Sequence, residues 1–569
     1  MWKTEYDIII VGAGVVGATL AYALSSEQPH LRICLLERSL AEPDRIVGEL
    51  LQPGGVRSLE KLGMKDAIDN LDSAPCKGYC VIDTREGRKV HIPYPNDARG
   101  AGFHYGRFIQ ALREKVRERA RGEAGAGGVD MLEATVSELI TREFEPHVVL
   151  GVRATRKVDG EDVKESFMAP LTVIADGCFS NFRTAVMGEE NFVKPSVRSH
   201  FVGLVVRDAK LPYPNHGTVC LVQNHGPVLL YQIDNGNREG EEGRTGTRML
   251  VDVSQPFPED LKEHIATRVV QQLPEEMREP IINSLNDPDT RIRRMPNSFL
   301  PPAPQHVFHL SSLPFPLSLL NIPWSLLSLP FSGSKKDEIY MEKDKPAVHN
   351  GRKEGVMLVG DSYNMRHPLT GGGMTVALHD VVILTRLLSK EAARNKKNAF
   401  GDWTAMNEVL RKWYWERKAL GSTINVLSVA LYDLFGAEDE NLEILRTGCF
   451  KYFERGGKCV SEPVSILSGM LESPFLLFYH FFCVAFYAIY IMFQQNDGRS
   501  IFGKVAKALS VFHTAVVVFV PLMWTEVRCW APTALANVPN VLLFAIMLAG
   551  VAKMATWPTA GAAVEPLSV

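Results

Sequence analysis

The sequence has almost no net charge: 62 Lys and Arg against 65 Asp and Glu leave −3. Nothing in that balance suits nucleic acid or an acidic polymer. Its nine cysteines, at 34, 76, 80, 178, 220, 449, 459, 483 and 529, are scattered. Only Cys76 and Cys80 are near neighbours, and no His or Cys cluster completes a metal site, so they read as reduced thiols facing a cytosolic compartment. Met1 to Asp7 is polar and leads straight into a strand, so no signal peptide is expected. At 569 residues the chain is too long for a single core, and two soluble domains with an appendage are expected.

Three stretches repeat one design. Tyr6 to Val11 is a continuous β-branched run, as in a central parallel strand. It leads directly into Gly12-Ala13-Gly14-Val15-Val16-Gly17, a helical Ala18 to Leu24, a second strand from Leu31 to Leu36, and Glu37-Arg38. Strand, G-x-G-x-x-G, helix, strand and acid form the context of a Rossmann-type dinucleotide site. The glycines allow a tight turn and close approach of a pyrophosphate, and Glu37 can hold a ribose hydroxyl. Leu171 to Arg183 again delivers an apolar strand into an Asp-Gly pair, Asp176-Gly177. Val356 to Val359 is the third such strand, ending in Gly360-Asp361; Gly371-Gly372-Gly373 then opens a helical run from Met374. Asp361 can accept from ribityl or ribose hydroxyls, the helix start offers free N–H groups, and three glycines let a flat ring lie against bare backbone. The carboxyl edge of an open α/β sheet is where ligands bind, and all three stretches place Gly or Asp there.

The remaining chain divides by character. Arg45 to Gly55 reads as a Gly/Pro loop beside the nucleotide site, Cys76 to Pro95 as a β-layer, and Tyr105 to Arg121 as a charged amphipathic helix with a solvated face. Residues 123–128 read as a loop. The β-rich segments from Ser199 to Val253 suit a substrate-cavity wall, Pro256 to Asn286 reads as helical, and Met295 to Pro302 as a Pro-stiffened loop. Residues 303–347 form a Ser/Leu/Pro-biased and then charged tract without periodicity. It is expected to be disordered, as a surface excursion or translated non-coding sequence. Ala405 to Phe435 is helical. Beyond Pro474 an uncharged apolar run reaches Phe493, long enough to cross a bilayer; Val511–Trp524 and Val541–Val551 are shorter and suit a re-entrant or in-plane hairpin. The expected domains are nucleotide-binding pieces at 1–70, 106–190 and 348–400, substrate-domain pieces at 71–105 and 191–302, a helical region at 401–472, and membrane-associated helices at 473–569.

The segments EPDRIVGELLQPGG, HYGRFIQALR, ADGCFSNFR, MPNSFLPP and GDSYNMRHPLTGGGMTVALHD resemble signatures of the squalene epoxidase family of flavoprotein hydroxylases. That resemblance implies an α/β fold: a Rossmann-type FAD-binding domain, a β-rich substrate domain and a C-terminal helical membrane-attachment region. By matching motif, FAD would meet Val15, Val16, Glu37, Arg38, Arg45, Arg107, Val136, Asp361 and Met374, with Arg107 on pyrophosphate oxygens. Gln52 and Tyr79 match substrate-pocket positions, and Tyr231, Phe299 and Leu300 would be apolar walls. Squalene offers no handle to a protein acid or nucleophile, so the cofactor carries the chemistry and no catalytic triad is expected. The resemblance implies reduced FAD, O2 and a flavin C4a-hydroperoxide that gives (S)-2,3-oxidosqualene for sterol synthesis. There is no second G-x-G-x-x-G for NADPH, so its electrons would arrive through an NADPH–cytochrome reductase. The expected location is the cytosolic face of the endoplasmic reticulum membrane and lipid droplets. Two other readings stay open: a different FAD-dependent hydroxylase or prenyl reductase of this fold, and a non-catalytic prenyl-binding protein.

Overall fold

A computed structural model describes residues 6–306 and 352–527, apart from 121, 123–126, 190–191, 224, 237–242, 244, 397, 437–438 and 496–497. These residues fall into two units: 6–306, 352–436 and 453–474 in the first, 439–452 and 475–527 in the second.

The first unit contains a five-stranded sheet in the order Val356–Leu358, Leu171–Ile174, Ile8–Val11, Arg32–Glu37, Gly128–Glu133, with every pairing parallel. Its central strand Ile8–Val11 is aliphatic throughout because both faces are covered; Ile8, Ile9 and Ile10 are wholly buried. Register then determines where the motifs go. Val11 lies opposite Ile174 and Leu36, and Ile174 opposite Leu358. Gly12, Asp176, Glu37 and Gly360-Asp361 therefore emerge along one edge. Helices Val15–Glu27, Tyr105–Arg117 and Gly373–Arg394 accompany this sheet, the first packing on the other two.

A seven-stranded sheet runs Arg293–Phe299, Ser196–Arg207, Gly246–Val253, Val228–Gln232, Gly217–Leu221, Gly78–Asp83, Arg88–Pro93, with one parallel pair, Gly217–Leu221 beside Gly78–Asp83. Period-two alternation gives it two different faces. Cys80, Cys220, Val228, Met249 and Val251 pack with Ile265, Val269, Met277 and Ile281 into a closed core. Their neighbours Tyr79, Val219, Leu229, Tyr231 and Leu250 face a cavity.

Three segments differ from the sequence reading. Arg45 to Gly55 is not all loop: Leu50–Leu51 pairs with Gly100–Gly102, and Pro53 starts a helix, Pro53–Lys61. Proline at the first helical position forfeits only an N–H that would have no intrahelical partner. Met295 to Pro302 is not a loop either. Arg293–Phe299 is an edge strand, where Pro296 is tolerated because one side of the strand makes no ladder. The helical stretch from Pro256 is broken into Leu261–His264, a π turn at Ile265–Val269, a 3-10 turn at Val270–Gln272 and the helix Glu275–Asn286.

Most of the 303–347 tract lies outside the described residues, but its flanks are closely joined. Leu300 and Met365 exchange backbone hydrogen bonds at 3.0 Å, and the Tyr363 hydroxyl donates to Ala303 O at 2.9 Å. The Gln305 amide acts as a one-residue strand on the outer edge of Val356–Leu358: Nε2 donates to Leu358 O at 2.8 Å, and Leu358 N donates to Oε1 at 2.7 Å. Arg352 Nη1 donates to His306 O at 2.8 Å.

Among the described residues, three helices are long and apolar enough to cross a membrane. Trp403–Gly436 is largely a core helix of the first unit, with Trp413, Tyr414 and Arg417 buried. In the second unit, Pro474–Gln494 and Ile501–Val527 pack through Phe481 stacked on Phe519 at 3.9 Å and Phe486 on Phe512 at 5.6 Å. Val511–Trp524, read as a short segment, is part of this 27-residue helix. Its first turns hold Lys504 and Lys507, whose charges interrupted the apolar run; Lys507 reaches Glu440 at 2.8 Å. Val541–Val551 lies outside the described residues.

Candidate active site

The phosphate turn is built by contacts only glycine allows. Gly12 has φ +103°, and a Cβ there would lie 2.5 Å from Ala175 O; at Gly17 it would lie 1.8 Å from Gly12 O. Gly14 faces open space. The helix Val15–Glu27 starts there with no side-chain cap, so its first N–H groups are available to an anion. Glu37 Oε2 accepts from Ala13 N at 2.8 Å and lies 3.6 Å from Arg113 Nη2. Arg113 is 3% exposed and donates from Nε to Ala13 O at 3.0 Å and from Nη1 to Ala41 O at 3.2 Å.

The second and third strand ends are tied by one side chain. Arg183 donates to five carbonyls: Gly177 O at 3.0 Å, Cys178 O at 2.7 Å, Ser180 O at 3.4 Å, Asp361 O at 2.9 Å and Ser362 O at 2.8 Å. Beside it, Asp176 Oδ1 is buried without a hydrogen-bond partner. Burial pushes that carboxyl above its ordinary range, with a Ser180 hydrogen bond acting against the shift. A buried, unpartnered carboxylate oxygen at a ligand edge calls for a donor from a ligand.

These edges open on a cavity of about 820 Å³, near the upper end of small-molecule sites. Of the expected cofactor residues, Gly12, Gly14, Val15, Val16, Glu37, Arg38, Arg45, Val136, Asp176, Gly360, Asp361, Gly373 and Met374 line it. Gly17 and Arg107 do not: Gly17 sits one layer behind, and Arg107 is half-exposed in the first turn of Tyr105–Arg117. The arginine of that helix on the cavity wall is Arg113, which sequence reasoning missed. It falls on the same stripe as buried Ile109, Leu112 and Val116, and a charged residue on an apolar stripe was the available signal. Arg45 lies over the Tyr105 ring at 5.5 Å and donates to Cys178 Sγ at 3.1 Å.

The opposite wall is the seven-stranded sheet. Tyr79 and Tyr231 line it as expected; Phe299 and Leu300 do not. Met295, Pro296 and Ser298 take that place; Phe299, at the end of the strand, faces away from its neighbour Ser298, and Leu300 pairs with Met365. Gln52 stands one layer back, fully buried, donating to the Tyr79 hydroxyl and to Thr370 O at 3.0 Å. Glu49 borders the cavity and is paired with buried Arg248, Nη2 to Oε1 at 2.9 Å. Among the described residues, no three His, Cys, Asp or Glu side chains gather around a metal position.

A family model described as squalene epoxidase matches residues 168–310 and 333–504. The chain belongs to the squalene epoxidase family. A model for the Thi4 family also matches residues 2–48, the phosphate-turn region. Mouse squalene monooxygenase is 36% identical over 531 residues, 92% of this chain and 78% of that protein. Squalene epoxidase erg1 of Aspergillus fumigatus is 37% identical, covering 92% of this chain and 94% of that one; Saccharomyces cerevisiae squalene epoxidase ERG1 is 34% identical over 92% and 96%. Two solved structures share the fold. PqsL from Pseudomonas aeruginosa, titled a probable FAD-dependent monooxygenase, has TM-score 0.53 at 19% identity, covering 76% of this chain and 96% of that one. Klebsiella pneumoniae HpxO, complexed with FAD and uric acid, has TM-score 0.53 at 15% identity, covering 83% and 99%. The squalene epoxidase match leaves residues 311–332 uncovered, a narrower interval than the expected 303–347 insert.

Proposed function

We propose that the strand-edge cavity holds FAD, and that the chain, as a squalene monooxygenase, converts squalene and O2 to (S)-2,3-oxidosqualene in sterol biosynthesis. One oxygen atom bridges a terminal double bond; the other leaves as water, taking up two electrons that originate in NADPH and two protons. The observation that carries this reading is one cavity with two unlike walls: a glycine- and carboxylate-bearing sheet edge, and the apolar face of a second sheet. Bound and reduced, the flavin would activate O2 toward the alkene, chemistry that no side chain supplies.

The chain's own residues bind, orient and keep out water. Glu37 and Asp361 accept from the adenosine ribose and ribityl hydroxyls, and Asp176 offers its unpartnered oxygen to the cofactor. Val15, Val16 and the helix start face the pyrophosphate, with Arg45, Arg113 and, by resemblance alone, Arg107 supplying positive charge. Gly373 and Met374 form the bare backbone under the ring, with Arg38 and Val136 toward the adenosine end. Tyr79, Tyr231, Val219 and Leu250 hold an alkene end in a dry setting, with Gln52 behind Tyr79. Electrons come from an NADPH–cytochrome reductase. Helices Pro474–Gln494 and Ile501–Val527 attach the enzyme to the cytosolic face of the endoplasmic reticulum membrane and to lipid droplets.

The test is incubation with squalene, reductase, NADPH and O2, with product identified by mass. A flavin-replete preparation that makes no 2,3-oxidosqualene refutes the assignment. Fast flavin reduction by NADPH without reductase refutes the electron route alone.

A further inference from the structure

Three polar groups meet behind the apolar wall: the Gln52 amide and the hydroxyls of Tyr79 and Tyr94. All three residues are buried. The Tyr94 hydroxyl donates to Gln52 Oε1 at 2.5 Å, Gln52 Nε2 donates to the Tyr79 hydroxyl and to Thr370 O, and the two rings meet edge to face at 5.8 Å. The amide can sit only one way. Thr370 presents a carbonyl, which accepts only, so the NH2 end must face it and the carbonyl end must turn to Tyr94. Tyr94 is not on the cavity wall, but Tyr79 is, alongside Gly371. A Cβ at Gly371 would lie 3.0 Å from Gln52 Nε2 and 3.8 Å from the Tyr79 hydroxyl oxygen. The group of three therefore abuts the glycine run expected under the flavin ring.

We infer that Tyr94 is a positioning residue for epoxidation: its hydroxyl fixes the Gln52 amide, and the amide holds the Tyr79 ring and hydroxyl at the junction of the alkene wall and the glycine run. The inference rests on the reading of Gln52 and Tyr79 as substrate-pocket residues. Without Tyr94 as donor, Oε1 loses its partner, the amide is held at its NH2 end alone, and Tyr79 samples positions that leave room for water beside the reacting centre.

The test is Tyr94→Phe, which removes one oxygen and keeps the ring. A buried hydrogen bond lost with its partner left unsatisfied predicts kcat lower by about ten-fold. The KM for squalene and the FAD content stay as in the parent, and a larger share of NADPH ends as hydrogen peroxide. Because Tyr94 acts through Gln52, Gln52→Ala with Tyr94→Phe should be no slower than Gln52→Ala alone. A Tyr94→Phe enzyme with parental kcat and coupling, beside a slow Gln52→Ala, overturns the role of Tyr94. Multiplying defects in the double variant overturn it too. If Gln52→Ala and Tyr79→Phe are both as fast as the parent, the pocket reading beneath it has failed.

Discussion

Arg183 offers a sharp test of how the site is held together. Its guanidinium donates to three carbonyls after the second strand and two after the third. One side chain thus sets the spacing of the two segments that carry Asp176 and Asp361. Hydrogen bonds from a charged donor contribute about 1.5–3 kcal/mol each. Five acceptors on one group do not add, and breaking a buried charged network typically costs about 3–5 kcal/mol. Arg183→Met keeps much of the apolar stem while removing all the donors. About 4 kcal/mol of lost stability is expected on this basis, enough to lower the unfolding midpoint without abolishing folding. If about half is felt as misalignment of the two edges, FAD binds about 30-fold more weakly, at about 1.4 kcal/mol per decade. Fluorescence titration of the apoprotein with FAD, alongside denaturant unfolding, measures both. Arg183→Lys, a point charge without the planar fork, should recover only part of each loss. Parental FAD affinity in a folded Arg183→Met protein would refute the claim that this side chain aligns the cofactor edge.

Gly17→Ala would put a methyl 1.8 Å from Gly12 O; the phosphate turn must shift, so the protein should purify without visible flavin absorbance. Gln305→Leu keeps the bulk but strips both partners from buried Leu358 N and O, and should cost about 2–3 kcal/mol in denaturant melts. Burial holds the His367 imidazole at a pKa of about 3. The unfolded chain protonates near 6.5 while the folded one does not, so stability falls as pH drops below about 6.5, by about 2 kcal/mol between pH 7.5 and 5. His367→Asn should flatten that slope in urea melts across the range. Deleting residues 311–332 should leave flavin content and epoxidation intact; a colourless, inactive deletion would show that the tract belongs to the site.

What sequence could and could not reveal follows from where the information lies. The three strand-end motifs were legible because short apolar runs ending in Gly or Asp are local signals, and parallel register then brings them to one edge without further instruction. Arg183 was not legible, because an arginine in a polar stretch reads as surface until its surroundings close over it, and Arg113 showed itself only by its place on an apolar stripe; both act on backbone carbonyls, which leave no mark in the sequence. Phe299 was misplaced for a different reason. Reading Met295 to Pro302 as a loop discards alternation, and without alternation the more apolar residue wins over Ser298, the one that reaches the cavity.

The tract after residue 306 shows the same limit from the other side. Its composition gave no hint of how two motif stretches on either side of it could be neighbours, and a long structureless connection inside a compact domain is suspect. The contacts of its flanks remove the difficulty. Chain closure grows more costly only slowly with loop length, and here the ends are held independently by the Leu300–Met365 bridge, the Gln305 amide on the edge strand and Arg352 on His306 O. A tract that leaves and returns at one clamped point can lengthen without moving Gly360 or Asp361. Sequence could diverge between those clamps while the flavin edge stayed fixed, and for that reason the deletion of 311–332 separates a tolerated excursion from a working part of the enzyme.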